Sequence, residues 1–559
     1  RKAQKPIQRA AAFYRSCDAV RRGDMDELPK VKSALLQAGI VWPRIPKDGD
    51  SIDLLRTLLH ASLKLRWSAV LHASIEHGPN VTFVTLDPLR EFQRIVEKHL
   101  RMANSVRATQ LYFETLRRGF GGATAKSAES TVTFADHVKL ESKYMGKLSG
   151  ALHLPTRSGA HESVDVFGLV PELSKERWVA ELDLYGGTSK PLIFRTKKPG
   201  YVTAFLELWR ERGERDMHLF YSWCVVQIAA RYASRKLLVN FYGCEDCADL
   251  YHGAFCLSKA YLLAGNQIFQ EYFDALFGDQ AVKSAWLVVS ETVEAFALQI
   301  DAGPYRDLNH TALHGSSFNA TNVILRYFDP HFGLQKHKHA EAVVFNPGNM
   351  DNSLVENWQS IVPHLEDVRH RWTASEAIEF VEWTVLVPDH VLAVLPHALA
   401  FPSFDDSATR FMNQAGLGNH VASALSAHFL QRYVDSSDTT ASLLHSNNCA
   451  TNDSHFSDTT SATRRLGVLT RALALEASLS AYRTGGAMNR DENLEGFDGY
   501  STTAMFFVAS CYALCGGHDG VHHLTGEECD EPFRNVSGFA DAFACEPGNV
   551  MNPLDNCAV

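Results

Sequence analysis

Apolar residues spaced three and four apart recur along this chain, and that period narrows its folds more than any other feature. Val31, Ala34, Leu35 and Leu36 mark one helical face, and Ile52, Leu54, Leu55, Leu58 and Leu59 another. The period continues in Leu89 to Leu111, with basic residues on the solvent side, so the chain up to Met102 reads as helices. It returns from Val202 through Phe277, notably in Phe205, Leu206, Leu208 and Trp209 and in the run Met217 to Leu238. Gly39-Ile-Val-Trp-Pro43 reads as a turn that ends a helix at a buried aromatic. Gly119 to Ser130 reads as a loop, residues 150–200 as short elements, and His310 to Asn352 as an irregular connection. Val385 to Val394 is strand-like and leads into Pro396 and Pro402. With no repeat and no heptad run, the pattern predicts a mainly α chain with a few short strands. The text changes near residue 380, which divides it into 1–380 and 381–559.

The chain has 559 residues, 45% of them apolar and 21% charged, as in ordinary globular proteins. Disordered, fibrous and small disulfide-stapled classes are excluded. The net charge of −10 gives no global attraction for a nucleic-acid backbone. The best apolar run, Thr503 to Gly516, is shorter than the ~20 residues a bilayer requires. Val385 to Phe401 is interrupted by Asp389, His390 and His397. No membrane span is expected within the chain, and any leader or anchor is expected to lie outside this sequence.

Eleven cysteines are present, five of them at positions 511, 515, 529, 545 and 557. Asn-x-Ser/Thr sequons begin at Asn80, Asn309, Asn319, Asn452 and Asn535. Clustered cysteines beside a sequon point to an oxidising compartment, a secreted or extracellular ectodomain. The odd count leaves at least one thiol free or paired outside this chain.

Three stretches near the end carry a family resemblance. Asn413-Gln-Ala-Gly-Leu-Gly418 precedes an apolar helix, and Leu399-Ala-Phe-Pro-Ser-Phe404 lies upstream. Phe506-Phe507-Val508 is followed by Cys515. The end reads Phe539-Ala-Asp-Ala-Phe-Ala-Cys545, Gly548, Met551-Asn-Pro553 and Cys557-Ala-Val559. These resemble the neprilysin and endothelin-converting-enzyme family of zinc metalloendopeptidases. That family has Asn-Tyr-Gly-Gly-Leu/Ile-Gly before its zinc helix and closes with Phe-x-x-x-Phe-x-Cys, Met-x-Pro and Cys-x-Val-Trp. The final Trp is missing here. Ala12-Phe-Tyr-Arg-Ser-Cys17 with Gly39 to Pro43 is similar to the family's Tyr-x-Ser-Cys and Gly-Trp-Pro.

The resemblance implies two mostly helical lobes, with a neprilysin-like N-terminal region over 1–380 and a thermolysin-like peptidase part over 381–559. It also implies Cys17 bridged to Cys244 or Cys247, and Cys449 to Cys557. Cys515 and Cys545 would pair with cysteines of a preceding segment outside this sequence. Relatives are often type II membrane proteins.

The chemistry of such an enzyme needs two His four apart on a helix, a Glu beside the first as base, and a third Glu ligand. The family's His-Glu-x-x-His falls on Ser423-Ala-Leu-Ser-Ala427, so the base position is Ala424. Its later Glu-x-x-x-Asp falls on Gly467 and Arg471. No metal ligand remains at Ser423, Ala427 or Gly467, and Arg471 replaces the Asp that orients a ligand. His420 and His428 are eight apart, about 12 Å along a helix, too far to share one zinc. Glu476 would need its helix to slide. The family's substrate-holding Asn-Ala falls near Glu382-Trp383. Its transition-state His persists as His522, with Glu528 where an Arg belongs.

Other signals are weaker. Cys244-x2-Cys247-x4-His252-x3-Cys256 nearly spells a zinc knuckle, but Glu245, Asp246 and Asp249 fill its loop and disulfides suit it better. His331, His337 and His339 read as a solvated loop, Gly119-Phe-Gly-Gly122 lacks a phosphate-loop frame, and Arg369-His-Arg-Trp372 reads as an exposed helix end. The sequence thus predicts an inactive peptidase homologue with no cofactor, binding a peptide or protein partner in an inherited cavity. The alternative is a zinc metalloendopeptidase with unrecognised ligands, and a third reading is a structural or decoy glycoprotein.

Overall fold

The computed structural model describes residues 3–46, 52–121, 131–152, 161–186, 190–265, 267–269, 277–302, 346–380, 382, 384–387, 391–434, 459–485, 496–497, 499–514, 526–536 and 538–553. Within them the chain is mostly helical, with one four-stranded sheet and one two-stranded hairpin. It divides into two compact units, Arg1–Cys256 with Phe345–Arg369, and Leu257–Val344 with His370–Val559. The division falls inside the helix Glu245–Ala264 and differs from the 380/381 boundary drawn from the sequence.

In the first unit the all-helical reading up to Met102 fails at one place. β1 (His72–His77) and β2 (Thr82–Asp87) form an antiparallel hairpin, turned where the Gly78 N–H donates to the Val81 carbonyl at 2.9 Å. β2 then pairs in parallel with β4 (Leu192–Thr196), and β3 (Glu162–Ser163) covers the other edge of β4. The alternating, β-branched text of Thr82-Phe-Val-Thr-Leu86 suits a strand, but its parallel partner lies more than a hundred residues downstream. The Leu89 to Leu111 stretch is two helices, Arg90–Met102 and one beginning at Val106, with the Ser105 hydroxyl accepting from the Ala108 N–H at the break. The expected turn is present: Gly39 has φ +78°, and Trp42 is buried with its ring 5.0 Å from that of Trp223.

Residues 346–369 belong to this unit because polar bonds inside its core hold them. Trp358 Nε1 donates to the Leu65 carbonyl at 2.8 Å, Asn357 Nδ2 to Ser16 Oγ at 3.0 Å, and Ser353 Oγ to Glu27 Oε2 at 2.9 Å.

The cysteine pairing differs from the implied one. Cys17 is bonded to Cys256, while Cys244 and Cys247 are bonded to each other. Cys244 and Cys247 stand at the start of the Glu245–Ala264 helix, and Cys256 lies nine residues past Cys247, about 13 Å along its axis. One partner for Cys17 therefore excludes the others. The zinc-knuckle spelling is likewise consumed by these two bonds. Cys511–Cys529 was not foreseen. Cys545 is free, as is the buried Cys224. Cys449, Cys515 and Cys557 lie outside the described residues.

Among the described residues of the second unit, two apolar cores share one helix. Leu473, Ala474 and Ala477 of the helix Thr459–Thr484 join Val289, Val293 and Phe296 of Asp279–Ala302 and Val421 and Leu425 of Asn419–Val434. Ala472, Leu475 and Leu479 of the same helix join Phe411, Phe506, Phe507, Phe533 and Phe539. The Phe507 and Phe539 rings lie 5.1 Å apart, so two of the resemblance motifs meet in the packing. The strand-like text at Val385 to Val394 is a hairpin of β5 (Thr384–Val387) and β6 (Val391–Val394). Arg371, read as part of an exposed helix end, is half-buried and donates to the Leu262 carbonyl at 2.9 Å. That bond satisfies a carbonyl in the last turn of Glu245–Ala264.

Candidate functional site

The segment that matches the zinc-site motifs is built by two glycines and a buried amide. A short helix, Arg410–Asn413, passes through a π-helical turn, Gln414–Gly418, into the long helix Asn419–Val434. The turn packs directly on the chain before it: the Leu417 N–H donates to the Ser403 carbonyl at 2.7 Å. A Cβ on Gly416 would sit 2.2 Å from that carbonyl oxygen, and one on Gly418 would sit 2.3 Å from Gln414 Oε1. Only glycine fits at either position.

Gln414 is fully buried, so its polar atoms must be satisfied. Its Oε1 accepts from Thr292 Oγ1 at 2.9 Å, its Nε2 donates to Glu291 Oε2 at 3.0 Å, and its carbonyl accepts from Ser478 Oγ at 2.5 Å. Glu291 also receives Arg410 Nη2 at 2.7 Å. Arg410 reaches further, to the carbonyls of Ala481, Tyr482 and Gly485 at the end of Thr459–Thr484. A guanidinium there meets the negative end of the helix dipole. Asn413 closes the loop before the turn, accepting from the Asp405 N–H at 3.0 Å and donating to its carbonyl at 2.7 Å.

Ser423 and Ala427 lie four residues apart on one face of Asn419–Val434, which packs against Thr459–Thr484. Ser423 and Ala424 are half-buried and Ala427 is exposed. Gly467 and Arg471 are likewise four apart on Thr459–Thr484, with Gly467 exposed and, among the described residues, nothing within 4 Å of where its Cβ would stand. Glu476, nine residues past Gly467, is two and a half turns on and so points from the opposite face.

Zinc requires thiolate, imidazole or carboxylate donors at about 2.0–2.3 Å. A serine hydroxyl, a methyl and a hydrogen supply none, and a guanidinium repels a cation. The residues at these positions do not fit the ion. Among the described residues, one group of His, Cys, Asp or Glu has three donor atoms within 4.8 Å of one another: Cys17, His252 and Cys256. Two of those three are joined as a disulfide.

Sequence reasoning named His397 and His420 but did not bring the two imidazoles together. His420 is buried, and burial, with His397 nearby, pushes its imidazole down to about 3. His397 is lowered as well, by burial, and its Nε2 is 2.6 Å from the Glu382 carbonyl. A carbonyl only accepts, so that nitrogen carries a proton, and burial favours the neutral ring. The Glu382 backbone, near the place expected to hold substrate, is thus engaged by His397. The signal available in the text was only two histidines flanking the Phe401-Pro402 turn.

Of the remaining expected positions, Asn80 is exposed in the β1–β2 turn, and Asn535 is half-buried with its Nδ2 donating to the Glu531 carbonyl at 3.1 Å. Asn309, Asn319, Asn452, His522, His331, His337 and His339 lie outside the described residues.

No family model and no curated protein sequence matches the chain. Solved structures do. The Mycobacterium tuberculosis zinc metalloprotease Zmp1 in complex with an inhibitor matches at TM-score 0.58 and 14% identity, covering 99% of this chain and 88% of that one. PepO from Lactobacillus rhamnosis HN001 matches at TM-score 0.56 and 12% identity, over 100% and 91%. A Haemonchus galactose-containing glycoprotein complex matches at TM-score 0.50 and 10% identity, over 99% and 92%. Over its whole length this mainly helical chain adopts the neprilysin-like fold of the zinc metalloprotease Zmp1 and of PepO.

Proposed function

We propose that the chain is a peptidase-fold protein without peptidase chemistry, and that it binds a peptide or protein partner. One observation carries the reading. The two packed helices expected to grip zinc present Ser423, Ala427, Gly467 and Arg471, with Ala424 where the base belongs. The elements that aim the first helix persist beside them: Gly416, Gly418 and the Gln414 bonds. A fold can keep its packing after its site is gone, because function resides in the site. No step of hydrolysis is available to these side chains. Ala424 cannot deprotonate water, and burial makes the imidazoles of His397 and His420 weak bases.

We place the protein in an extracellular, oxidising setting. The disulfides among the described residues support this. Among those residues no helix is long and apolar enough to cross a membrane.

The test is a bradykinin-like peptide incubated with a high concentration of the full chain, with and without EDTA, alongside thermal-shift titrations with a peptide pool. The expected result is no cleavage in either condition and a saturable rise in melting temperature with at least one peptide. Cleavage that EDTA abolishes would restore the zinc peptidase reading. Absence of any saturable shift would remove the binding half and leave a structural glycoprotein.

A further inference from the structure

The first unit carries two disulfides on one helix, and their surroundings differ. Cys17–Cys256 is fully buried and joins residues 239 apart in sequence. Cys244–Cys247 closes over two intervening residues at the start of the 20-residue helix Glu245–Ala264. Cys244 is exposed and Cys247 half-buried. We propose that Cys244–Cys247 is a thiol-exchange site, reduced and re-formed by an external low-molecular-weight thiol or protein dithiol, while Cys17–Cys256 is permanent.

Three features of the turn support exchange there. The first is access: exchange requires an incoming thiolate to reach a sulfur, and Cys244 offers one in solvent while Cys17 and Cys256 do not. The second is stabilisation of the thiolates that exchange produces. The Cys247 N–H donates to Cys244 Sγ at 2.9 Å. Cys247 itself sits in the first helical turn, where unsatisfied N–H groups favour an anion. Of the neighbouring carboxylates Glu245, Asp246 and Asp249, which would oppose a thiolate, Glu245 and Asp249 are paired with Arg235, and Asp249 also with Arg21 at 3.0 Å. The third is that the turn does not depend on the covalent bond. The Gly243 N–H donates to the Val239 carbonyl at 2.7 Å, and the Ala248 N–H to the Cys244 carbonyl at 3.0 Å. A crosslink over so short a loop removes little freedom from the unfolded chain, whereas Cys17–Cys256 removes much.

The step balances. An external thiolate attacks Cys244 Sγ and forms a mixed disulfide, and the electron pair of the broken bond leaves on Cys247 Sγ. A second external thiolate attacks the external sulfur of that mixed disulfide and releases the Cys244 thiolate. The chain's pair gains two electrons, the external thiols lose two as they become a disulfide, and solvent supplies protons to the new thiolates.

The native full chain is titrated with reduced glutathione, alkylated with N-ethylmaleimide and mapped by peptide mass spectrometry, with free Cys545 as the labelling control. Half-labelling of Cys244 and Cys247 is expected at a reductant concentration about tenfold or more below that for Cys17 and Cys256, with the melting temperature unchanged. In Cys247→Ser, oxidised glutathione is expected to add at Cys244. The proposal is overturned if the two disulfides yield together, if reducing Cys244–Cys247 lowers the melting temperature as Cys17→Ser/Cys256→Ser does, or if Cys244 in the Cys247→Ser variant takes no glutathione.

Discussion

Replacing Gly416 by alanine places a methyl carbon 2.2 Å from the Ser403 carbonyl oxygen and 2.9 Å from the carbonyl carbon. Relaxed carbon–oxygen contacts sit at about 3.3–3.6 Å, so the π-helical turn and the segment beneath it must part by about 1 Å. Neither side of this contact is a flexible side chain that could swing away. Overpacking of this kind costs about 1–3 kcal/mol. The same movement stretches the 2.7 Å bond from the Leu417 N–H to Ser403, whose loss adds about 1 kcal/mol. The expected destabilisation is therefore about 2–4 kcal/mol. Gly467→Ala is the matched control. It sits exposed within Thr459–Thr484 with open space around it, so alanine is expected to stabilise by about 1 kcal/mol through helix propensity. Urea unfolding of both variants, followed by circular dichroism, should shift the midpoint in opposite directions. A Gly416→Ala midpoint equal to the parent's, or two shifts of the same sign, would refute the account of how this turn is built.

Titration of His420 is expected to be visible in stability. Its folded value of about 3 lies below its ordinary one, so the contribution is complete above pH 6.5 and declines as the unfolded chain takes up a proton. The loss between pH 7.5 and 5 is about 2 kcal/mol, and it should vanish in His420→Asn; a variant with the parent's pH slope would contradict this. Lys259 and Glu379 form a buried pair at 2.7 Å in the second unit. Glu379→Ala should cost about 3–5 kcal/mol by removing the carboxylate that pairs with the buried ammonium, while Lys259→Met with Glu379→Leu recovers most of it. A double variant no more stable than the single one in thermal melts would show that the pair itself matters more than its burial.

The legible parts of the fold were those fixed by contacts near in sequence. The Asn413 to Gly418 motif was read as preceding an apolar helix, and the helix begins at Asn419. The Phe506-Phe507 and Phe539 motifs proved to be one aromatic core. β1 and β2 were missed although they pair with each other, and the sheet they belong to is completed by β4, whose pairing with β2 spans more than a hundred residues. The partner of Cys17 was misassigned because three cysteines share one helix and only its axial rise separates them. The place of residues 346–369 with the first unit rests on bonds such as Trp358 to Leu65, across some three hundred residues, which no local period records. At the candidate site, Ser423 and Ala427 lie four apart on one helix and Gly467 and Arg471 four apart on another. Helical spacing could not reveal His397 beside His420, because that pairing crosses a turn.

Zinc content decides the central claim most directly. The native chain and a variant carrying Ser423→His, Ala424→Glu, Ala427→His and Gly467→Glu are incubated with zinc, exchanged into metal-free buffer and analysed for bound metal. The native chain is expected to retain none, and the variant, whose new carboxylate at Gly467 enters open space, to retain one ion per chain. Stoichiometric zinc in the native chain, abolished by changing a residue of the Asn419–Val434 or Thr459–Thr484 helix, would contradict the account.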